Sequence, residues 1–195
     1  MKPATIILDC GHGATTPGKR SPMLANGFQL LEWEWVREIA SLIKEKLENI
    51  DIKCIIANTD DGDPSLSSRA TRINKLYESE KGRAVLMISL HGNAAGNGKE
   101  WKEASGWEVW TTSRKTNSDT FAEIMCDVFK EIFPDKKLRG HKQKDFTLLY
   151  KTNCPCVLTE NFFYDNKEEC LWMLTEEAKN KIADLHVQSV VKWLN

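Results

Sequence analysis

The sequence predicts an α/β domain in which a mostly parallel, twisted sheet of about six strands is flanked by helices. Short apolar runs typical of buried strands alternate with longer helical patterns along all 195 residues. The predicted strands are Thr5–Leu8, Ile52–Ala57, Ala84–Leu90, Trp107–Thr111, Phe146–Tyr150 and Cys156–Thr159, and the predicted helices are Gln29–Leu47, Leu66–Ser79, Ser118–Phe133 and Thr175–Leu194. No linker or repeat interrupts this alternation, and the length predicts a single domain over residues 1–195.

Two of the four histidines directly follow predicted strands. The first strand continues into Gly11-His12-Gly13, and the third continues into His91-Gly92. The carboxyl ends of parallel strands meet at one edge of an open sheet, which is where ligands usually bind. The two strands therefore predict a metal or catalytic site that contains His12 and His91.

The first predicted helix carries one carboxylate on its apolar face. Its apolar positions form a single stripe at helical spacing: Leu31, Trp35, Ile39, Leu42 and Ile43. Glu32 falls inside this stripe, whereas Glu34 faces solvent. Because an inward carboxylate is costly unless a cation meets it, Glu32 is a candidate metal ligand. The pattern leaves open the alternative that Glu32 only complements the dipole at the helix N-terminus.

The last predicted strand follows Pro155 and ends in Glu160. Glu160 is a candidate general base at the same sheet edge, with a simple cap of the following turn as the alternative. Two histidines and one carboxylate with an open fourth position form a common catalytic zinc set. A free glutamate beside such a set suits amide hydrolysis.

The remaining histidines and the six cysteines carry weaker signals. His186 lies in the apolar stripe of the last helix, which predicts a hydrogen-bonded core histidine. His141 follows a predicted helix and is expected to be exposed, with substrate contact as the functional alternative. Three cysteines lie in apolar patterns typical of reduced core thiols: Cys10, Cys54 and Cys126. Cys154 and Cys156 have chelate spacing, but no second cysteine pair accompanies them, so a metal role is disfavoured.

Charge and hydropathy exclude broad classes of partner. With a net charge of −1 the chain has no broad basic face, so neither nucleic acid nor a membrane is expected as a partner. No run approaches the roughly 18 apolar residues of a membrane-spanning helix. Residues 1–4 lead into a strand without a signal-peptide pattern, so we expect cytoplasmic synthesis. A secreted protein whose signal peptide is missing from the sequence would show the same N-terminal pattern.

These motifs resemble the zinc-dependent N-acetylmuramoyl-L-alanine amidases of the Amidase_3 family, found in bacterial autolysins and phage endolysins. The segment Asp9-Cys10-Gly11-His12-Gly13 resembles the family's Asp-Pro-Gly-His-Gly, and Ser89-Leu90-His91-Gly92-Asn93-Ala94 is similar to its Ser-Leu-His-Ala-Asn-Ala. Glu32 precedes Ala40 by the family's spacing, and the segment from Pro155 to Glu160 resembles the one with the catalytic glutamate. The resemblance implies that His12, Glu32 and His91 bind Zn²⁺ and that Glu160 is catalytic. It also implies structural roles for Arg69 and Asn74 on the second helix.

The sequence departs from the family pattern at three positions. Cys10 replaces a proline, Gly92 replaces an alanine, and Phe162 replaces a glycine. Phe162 is expected to narrow or reshape the floor of the site near Glu160. Residues 97–104 form a longer stretch than the family has, either as a rim that grips peptide or glycan or as an inert insertion.

The resemblance implies hydrolysis of the amide bond between N-acetylmuramic acid and L-alanine in peptidoglycan. The expected partners are the glycan strand and stem peptide of peptidoglycan. We expect the protein to be a monomer and to act at the cell wall like a phage lysin. One alternative is a cysteine-dependent cell-wall peptidase with Cys10 as nucleophile and His91 as base. It is weakened because Cys10 does not open a helix that would stabilise a thiolate. Another is a peptidoglycan-binding module without turnover, which would not need Glu160.

Overall fold

The computed structural model describes residues 3–59 and 61–195, so Met1, Lys2 and Asp60 lie outside the described part. The strands are β1 (Ala4–Cys10), β2 (Lys53–Ile56), β3 (Ala84–Asn93), β4 (Trp107–Thr111), β5 (Leu138–Gln143) and β6 (Cys156–Phe163). The helices are α1 (Glu32–Glu48), α2 (Leu66–Ser79), α3 (Asn117–Ile132), α4 (Thr147–Lys151), α5 (Lys167–Met173) and α6 (Glu176–Leu194). Among the described residues, no helix has the length and apolar character to cross a membrane.

The six strands form one sheet in the order β2-β1-β3-β6-β4-β5. Strands β2, β1, β3 and β6 pair in parallel, whereas β4 is antiparallel to β6 and parallel to β5. The prediction of a mostly parallel α/β sheet of about six strands is confirmed. Because β1, β3 and β6 are central neighbours, the residues at their carboxyl ends lie at one edge of the sheet.

Helices cover both faces of the sheet, so the central strands are apolar on both sides. In β3, Leu86, Ile88 and Leu90 belong to the larger core, which also includes residues of α1, α3 and α6. Val85 and Met87 belong to a smaller core with residues of α2 and α4. Burial on both faces explains why these strands are continuous apolar runs in the sequence.

Two side chains of α2 tie this helix to the rest of the fold. Both Nε and Nη2 of Arg69 donate to the carboxylate of Asp9, the first at 2.9 Å, and the pair is buried. Ser89 donates its hydroxyl to the same carboxylate at 2.7 Å. Nδ2 of Asn74 donates to the carbonyl oxygen of Lys151 at 2.9 Å. The structural roles predicted for Arg69 and Asn74 are confirmed.

Two parts of the predicted element pattern are wrong. The run Phe146–Tyr150, predicted as a strand, forms most of helix α4, and the sixth strand is instead β5. Short apolar runs do not distinguish a strand from a buried helical turn, because both bury similar residues. Strand β5 lies at the sheet edge and is largely polar and half-buried, so it lacks the apolar signal of a central strand. Helix α5 is also absent from the predicted pattern.

His186 on α6 is a core histidine, as predicted. Its ring is fully buried, with Nδ1 2.7 Å from the carbonyl oxygen of Ile182 and Nε2 3.1 Å from the hydroxyl of Thr159. Since a carbonyl oxygen can only accept, Nδ1 carries the proton and Nε2 accepts from the threonine. Burial lowers the pKa of His186 to about 4. The imidazole is therefore neutral in the folded protein at neutral pH.

We expect His186 to make the fold acid-sensitive between about pH 6.5 and about pH 4. In this window the unfolded chain binds a proton at this histidine and the folded protein does not. The free energy of unfolding should therefore fall by up to roughly 3 kcal/mol as the pH drops through the window, with no such change above it. Urea unfolding at several pH values should show a smaller loss in His186→Gln than in the wild type. Parallel pH profiles would contradict the assignment.

Candidate metal centre

His12, Glu32, His91 and Glu160 meet at the carboxyl edge of the central strands. His12 follows the end of β1, His91 lies in β3, and Glu160 lies opposite His91 in the register of β6. Glu32 is the first residue of α1 and reaches the same place from the helix layer. The fold therefore brings together all four residues that the sequence singles out.

The three candidate ligands form one compact group. Oε1 of Glu32 lies 3.1 Å from Nδ1 of His91 and 3.5 Å from Nε2 of His12. One ligand atom from each residue lies within 4.8 Å of the others, so the group could hold a metal ion. Glu32 is fully buried and Glu34 is exposed, as the apolar stripe of the helix predicts.

The chemistry of this group fits a small divalent cation. Oε2 of Glu32 is buried and has no hydrogen-bond partner within residues 3–59 and 61–195, and the ammonium of Lys19 stays 3.9 Å away. A buried carboxylate oxygen in this state is costly unless a cation meets it. Two imidazole nitrogens and one carboxylate oxygen are the donor types of many catalytic zinc sites.

Two glycines flank His12 and allow close packing around it. A Cβ on Gly11 would lie 2.4 Å from the His91 ring, and a Cβ on Gly13 would lie 2.5 Å from the backbone of Gly62. No side chain fits at such distances, so both positions require glycine. His12 between them has a left-handed backbone (φ 59°), a strained conformation that clusters at functional sites. Its ring meets that of His91 edge to face, with centroids 5.0 Å apart.

Burial and neighbouring charges set the protonation of the centre. Burial lowers the pKa of His12 to about 4, against the pull of Glu32, so the imidazole is neutral and offers a lone pair. Burial alone would raise the pKa of Glu32, but the two histidines and Lys19 outweigh it, and the pKa is lowered. Burial and the charge of Glu32 raise the pKa of Glu160 well above its usual range. The centre therefore combines an ionised carboxylate with a second one that readily holds a proton.

A cavity of about 260 Å³ opens beside Glu160. Its other walls are Pro17–Lys19 after β1, residues between 92 and 97 at and just after the end of β3, and Tyr164. Oε2 of Glu160 is buried, and no described residue gives it a hydrogen bond. The side chain is thus available to groups that enter the cavity.

The stretch 97–104 packs against the protein beside this cavity. Asn97 lines the cavity, and Gly98 lies so close to the carbonyl group of Arg20 that a Cβ would be 2.4 Å from its oxygen. The backbone N–H of Lys102 donates to the carbonyl oxygen of Asp165 at 2.8 Å. The beginning of the stretch is therefore part of the cavity wall.

The expectation that Phe162 reshapes the floor of the site is wrong. Its side chain is fully buried and packs on Trp172 and Phe133, with ring centroids 4.7 Å and 5.5 Å away. The residue has φ 64°, in the left-handed region that favours glycine. This conformation turns the ring into the larger core and away from Glu160.

The cysteines and His141 lie apart from the candidate centre. Cys10 is fully buried in the core and its pKa is raised to about 12 by burial, which removes the basis for the thiolate alternative. Cys154 and Cys156 are also free, buried thiols with pKa values raised to about 12 by burial. His141 was expected to be exposed after a helix; it is half-buried in β5, with Nε2 2.7 Å from the hydroxyl of Thr111.

Lys19 and Tyr164 line the cavity and were not singled out from the sequence. Lys19 lies in the glycine- and proline-containing loop after His12, and surface loops of this kind often carry binding residues. Tyr164 follows β6, four residues after Glu160, and strand alternation would have placed both on one face; the predicted strand ends too early, at Thr159, to indicate this.

Comparison with known proteins agrees with this geometry. Residues 6–192 match the Amidase_3 family, described as N-acetylmuramoyl-L-alanine amidase. The chain is 30% identical to the endolysin of Bacillus phage SPP1, in an alignment covering 97% of this chain and 66% of that protein. It is 26% identical to the N-acetylmuramoyl-L-alanine amidase CwlM of Bacillus licheniformis, covering 97% of this chain and 68% of CwlM. The chain thus spans about two thirds of the length of both relatives.

Solved structures show the same fold. The chain superposes on the crystal structure of an N-acetylmuramoyl-L-alanine amidase from Clostridium difficile 630 with a TM-score of 0.84 and 26% identity. The superposition covers 100% of this chain and 98% of the other. The similarity therefore extends over the sheet, both helix layers and the edge where the candidate centre lies.

Proposed function

This chain belongs to the Amidase_3 family of N-acetylmuramoyl-L-alanine amidases, and we propose that it hydrolyses the amide bond between N-acetylmuramic acid and L-alanine in peptidoglycan. A zinc ion held by His12, Glu32 and His91 would serve the reaction. The observation that carries this proposal is the convergence of these three donors within 4.8 Å, beside a free carboxyl group in a cavity. The family match and the names of the relatives support the substrate class.

The residues present suit zinc as the metal. His12 is neutral at neutral pH, and Glu32 is an ionised carboxylate with an unpartnered oxygen within the described residues. Three protein ligands leave a coordination position open for water or substrate, which is typical of catalytic rather than structural zinc sites. When bound, zinc would activate water and polarise the substrate carbonyl.

Glu160 is the residue that moves the proton. It lies in β6 opposite His91 and lines the cavity, and no described residue gives its Oε2 a hydrogen bond. As a base it takes a proton from the water that attacks the carbonyl carbon; as an acid it gives that proton to the alanine nitrogen when the carbon–nitrogen bond breaks. The raised pKa of Glu160 suits both roles, because the ionised carboxylate is then a stronger base and its protonated form is stable enough to act as the acid.

The partners follow from this chemistry. We propose that the glycan strand and the stem peptide of peptidoglycan bind on either side of the cavity beside Glu160. The protein would act at the cell wall as a monomer, in the manner of a phage lysin, and its similarity to the endolysin of phage SPP1 supports this role.

The test is the chemistry of the ends released from purified sacculi. We expect new N-terminal L-alanine without new reducing sugar ends, loss of activity after chelation, and recovery when zinc is added back. Alkylation of thiols should leave activity intact, because the six cysteines are free and mostly buried. Reducing ends, or activity lost only on alkylation, would contradict the proposal. Binding to sacculi without release of amines would favour the non-catalytic module.

A further inference from the structure

One buried donor at the centre has no role in the reaction as proposed. Among the described residues, three side-chain atoms at the centre are buried without a hydrogen-bond partner: Oε2 of Glu32, Oε2 of Glu160 and Nδ2 of Asn93. The metal accounts for the first atom and the proton transfer for the second. Nothing in the proposed function accounts for the amide nitrogen of Asn93.

The orientation of this amide is fixed by its neighbours. Oδ1 of Asn93 accepts a hydrogen bond from the backbone N–H of Ala94 at 2.9 Å, which identifies the oxygen and leaves the NH₂ group on the other side. The backbone carbonyl of Asn93 accepts from the N–H of Tyr164 at 3.0 Å, so the end of β3 is held against β6. The amide is thus held in place before any ligand enters.

Asn93 lines the same cavity as Glu160. The pairing of β3 with β6 shifts register between His91 and Asn93, which breaks the strand alternation just where the cavity begins. A buried N–H without an acceptor is costly, so water or a ligand in the cavity must supply the acceptor.

We infer that Nδ2 of Asn93 donates a hydrogen bond to a carbonyl oxygen of the substrate and so orients it against Glu160. This inference rests on the proposed function and adds a substrate-binding residue to it. The acceptor is a neutral amide carbonyl, the group that the muramoyl–alanine linkage and the N-acetyl group both present. A carboxylate is disfavoured because Glu32 and Glu160 already place two acidic groups at the centre.

The structural alternative is that Asn93 only stabilises the turn after β3 together with Asp165. Oδ2 of Asp165 accepts from the backbone N–H groups of Ala95 and Gly96 at 2.9 and 2.7 Å. In that case the loss of the Asn93 amide would lower the melting temperature and leave the affinity for substrate unchanged.

Two substitutions separate these roles. Asn93→Asp keeps the acceptor for Ala94 and removes the donor, and Asn93→Ala removes the donor without adding charge. Asn180→Asp on α6, where the amide nitrogen donates to the carbonyl oxygen of Glu176, makes the same chemical change far from the cavity. The substrate is a soluble muramoyl peptide, and zinc content and melting temperature are measured for every variant.

We expect kcat/KM to fall about tenfold or more in both Asn93 variants, with wild-type zinc content, and to stay unchanged in Asn180→Asp. In an inactive Glu160→Gln background, Asn93→Ala should also weaken binding of the uncleaved muramoyl peptide about tenfold by calorimetry. Equal affinity and equal kcat/KM with and without the Asn93 amide would overturn the inference. That result leaves the proposed function intact, whereas failure of the wild type to release L-alanine would overturn the proposed function and leave the binding comparison valid.

Discussion

Glu160→Ala is expected to slow amide hydrolysis by roughly a thousandfold or more while the protein keeps its full zinc content. Glu160 lies opposite His91, near the carboxyl ends of the paired strands β3 and β6. It does not belong to the group of candidate metal ligands, which is His12, Glu32 and His91. General acid–base groups contribute about a hundredfold to ten-thousandfold in rate, and the role proposed for Glu160 covers both the attack of water and the departure of the amine. Metal binding should not change, because the proposed ligands come from other elements.

The measurement is turnover of a soluble muramoyl peptide, with zinc determined on the same sample by elemental analysis. Glu78→Ala on the exposed face of α2 is the matched control, because it removes a carboxylate far from the centre. Glu160→Gln should be as inactive as Glu160→Ala, since the amide keeps the shape and cannot carry the proton. Wild-type turnover in either variant would remove Glu160 as the proton carrier, and loss of zinc together with activity would make it a ligand instead.

The residues at the centre could be found from sequence because each one obeys a local rule. Apolar runs predicted strands β1 and β3, and the behaviour of parallel sheets then predicted that His12 and His91 lie at one edge. The helical period alone placed Glu32 inside and Glu34 outside, and the structure confirms both positions. These rules hold because the central strands and one face of α1 are buried. Buried positions must be apolar, and their spacing is therefore visible in the sequence.

Where burial is partial, the pattern fails. Strand β5 at the sheet edge was missed because none of its residues is fully buried. Helix α4 was mistaken for a strand because it buries only Leu148 and Leu149, and so short an apolar run does not reveal a helical period. The left-handed backbone at Phe162 shows a second limit, since a local change of chain direction sent a large side chain into the core instead of the site. The role inferred for Asn93 could not be predicted either. Whether its Nδ2 lacks a hydrogen-bond acceptor depends on all the residues around it in space, and their positions are not visible in the sequence.

Glu32→Ala is expected to abolish the stabilisation of the protein by zinc as well as its activity. Glu32 lies between the two histidines, with Oε1 3.1 Å from one ring and 3.5 Å from the other. Without it, two imidazoles remain, and the negative charge that attracts a divalent cation is lost. Glu34→Ala is the matched control, since it removes an exposed carboxylate two residues further along the same helix.

Thermal unfolding at increasing zinc concentration separates this effect from a simple loss of stability. Zinc at about a hundred times its dissociation constant should add roughly 2.7 kcal/mol to the wild type and to Glu34→Ala. For a chain of this length that corresponds to a rise in Tm of roughly 5–10 °C. Glu32→Ala should show almost no rise at the same zinc concentration, whatever its own Tm without metal. A full rise in Glu32→Ala would mean that the ion binds elsewhere, because a metal stabilises the folded state only through the ligands that the fold brings together.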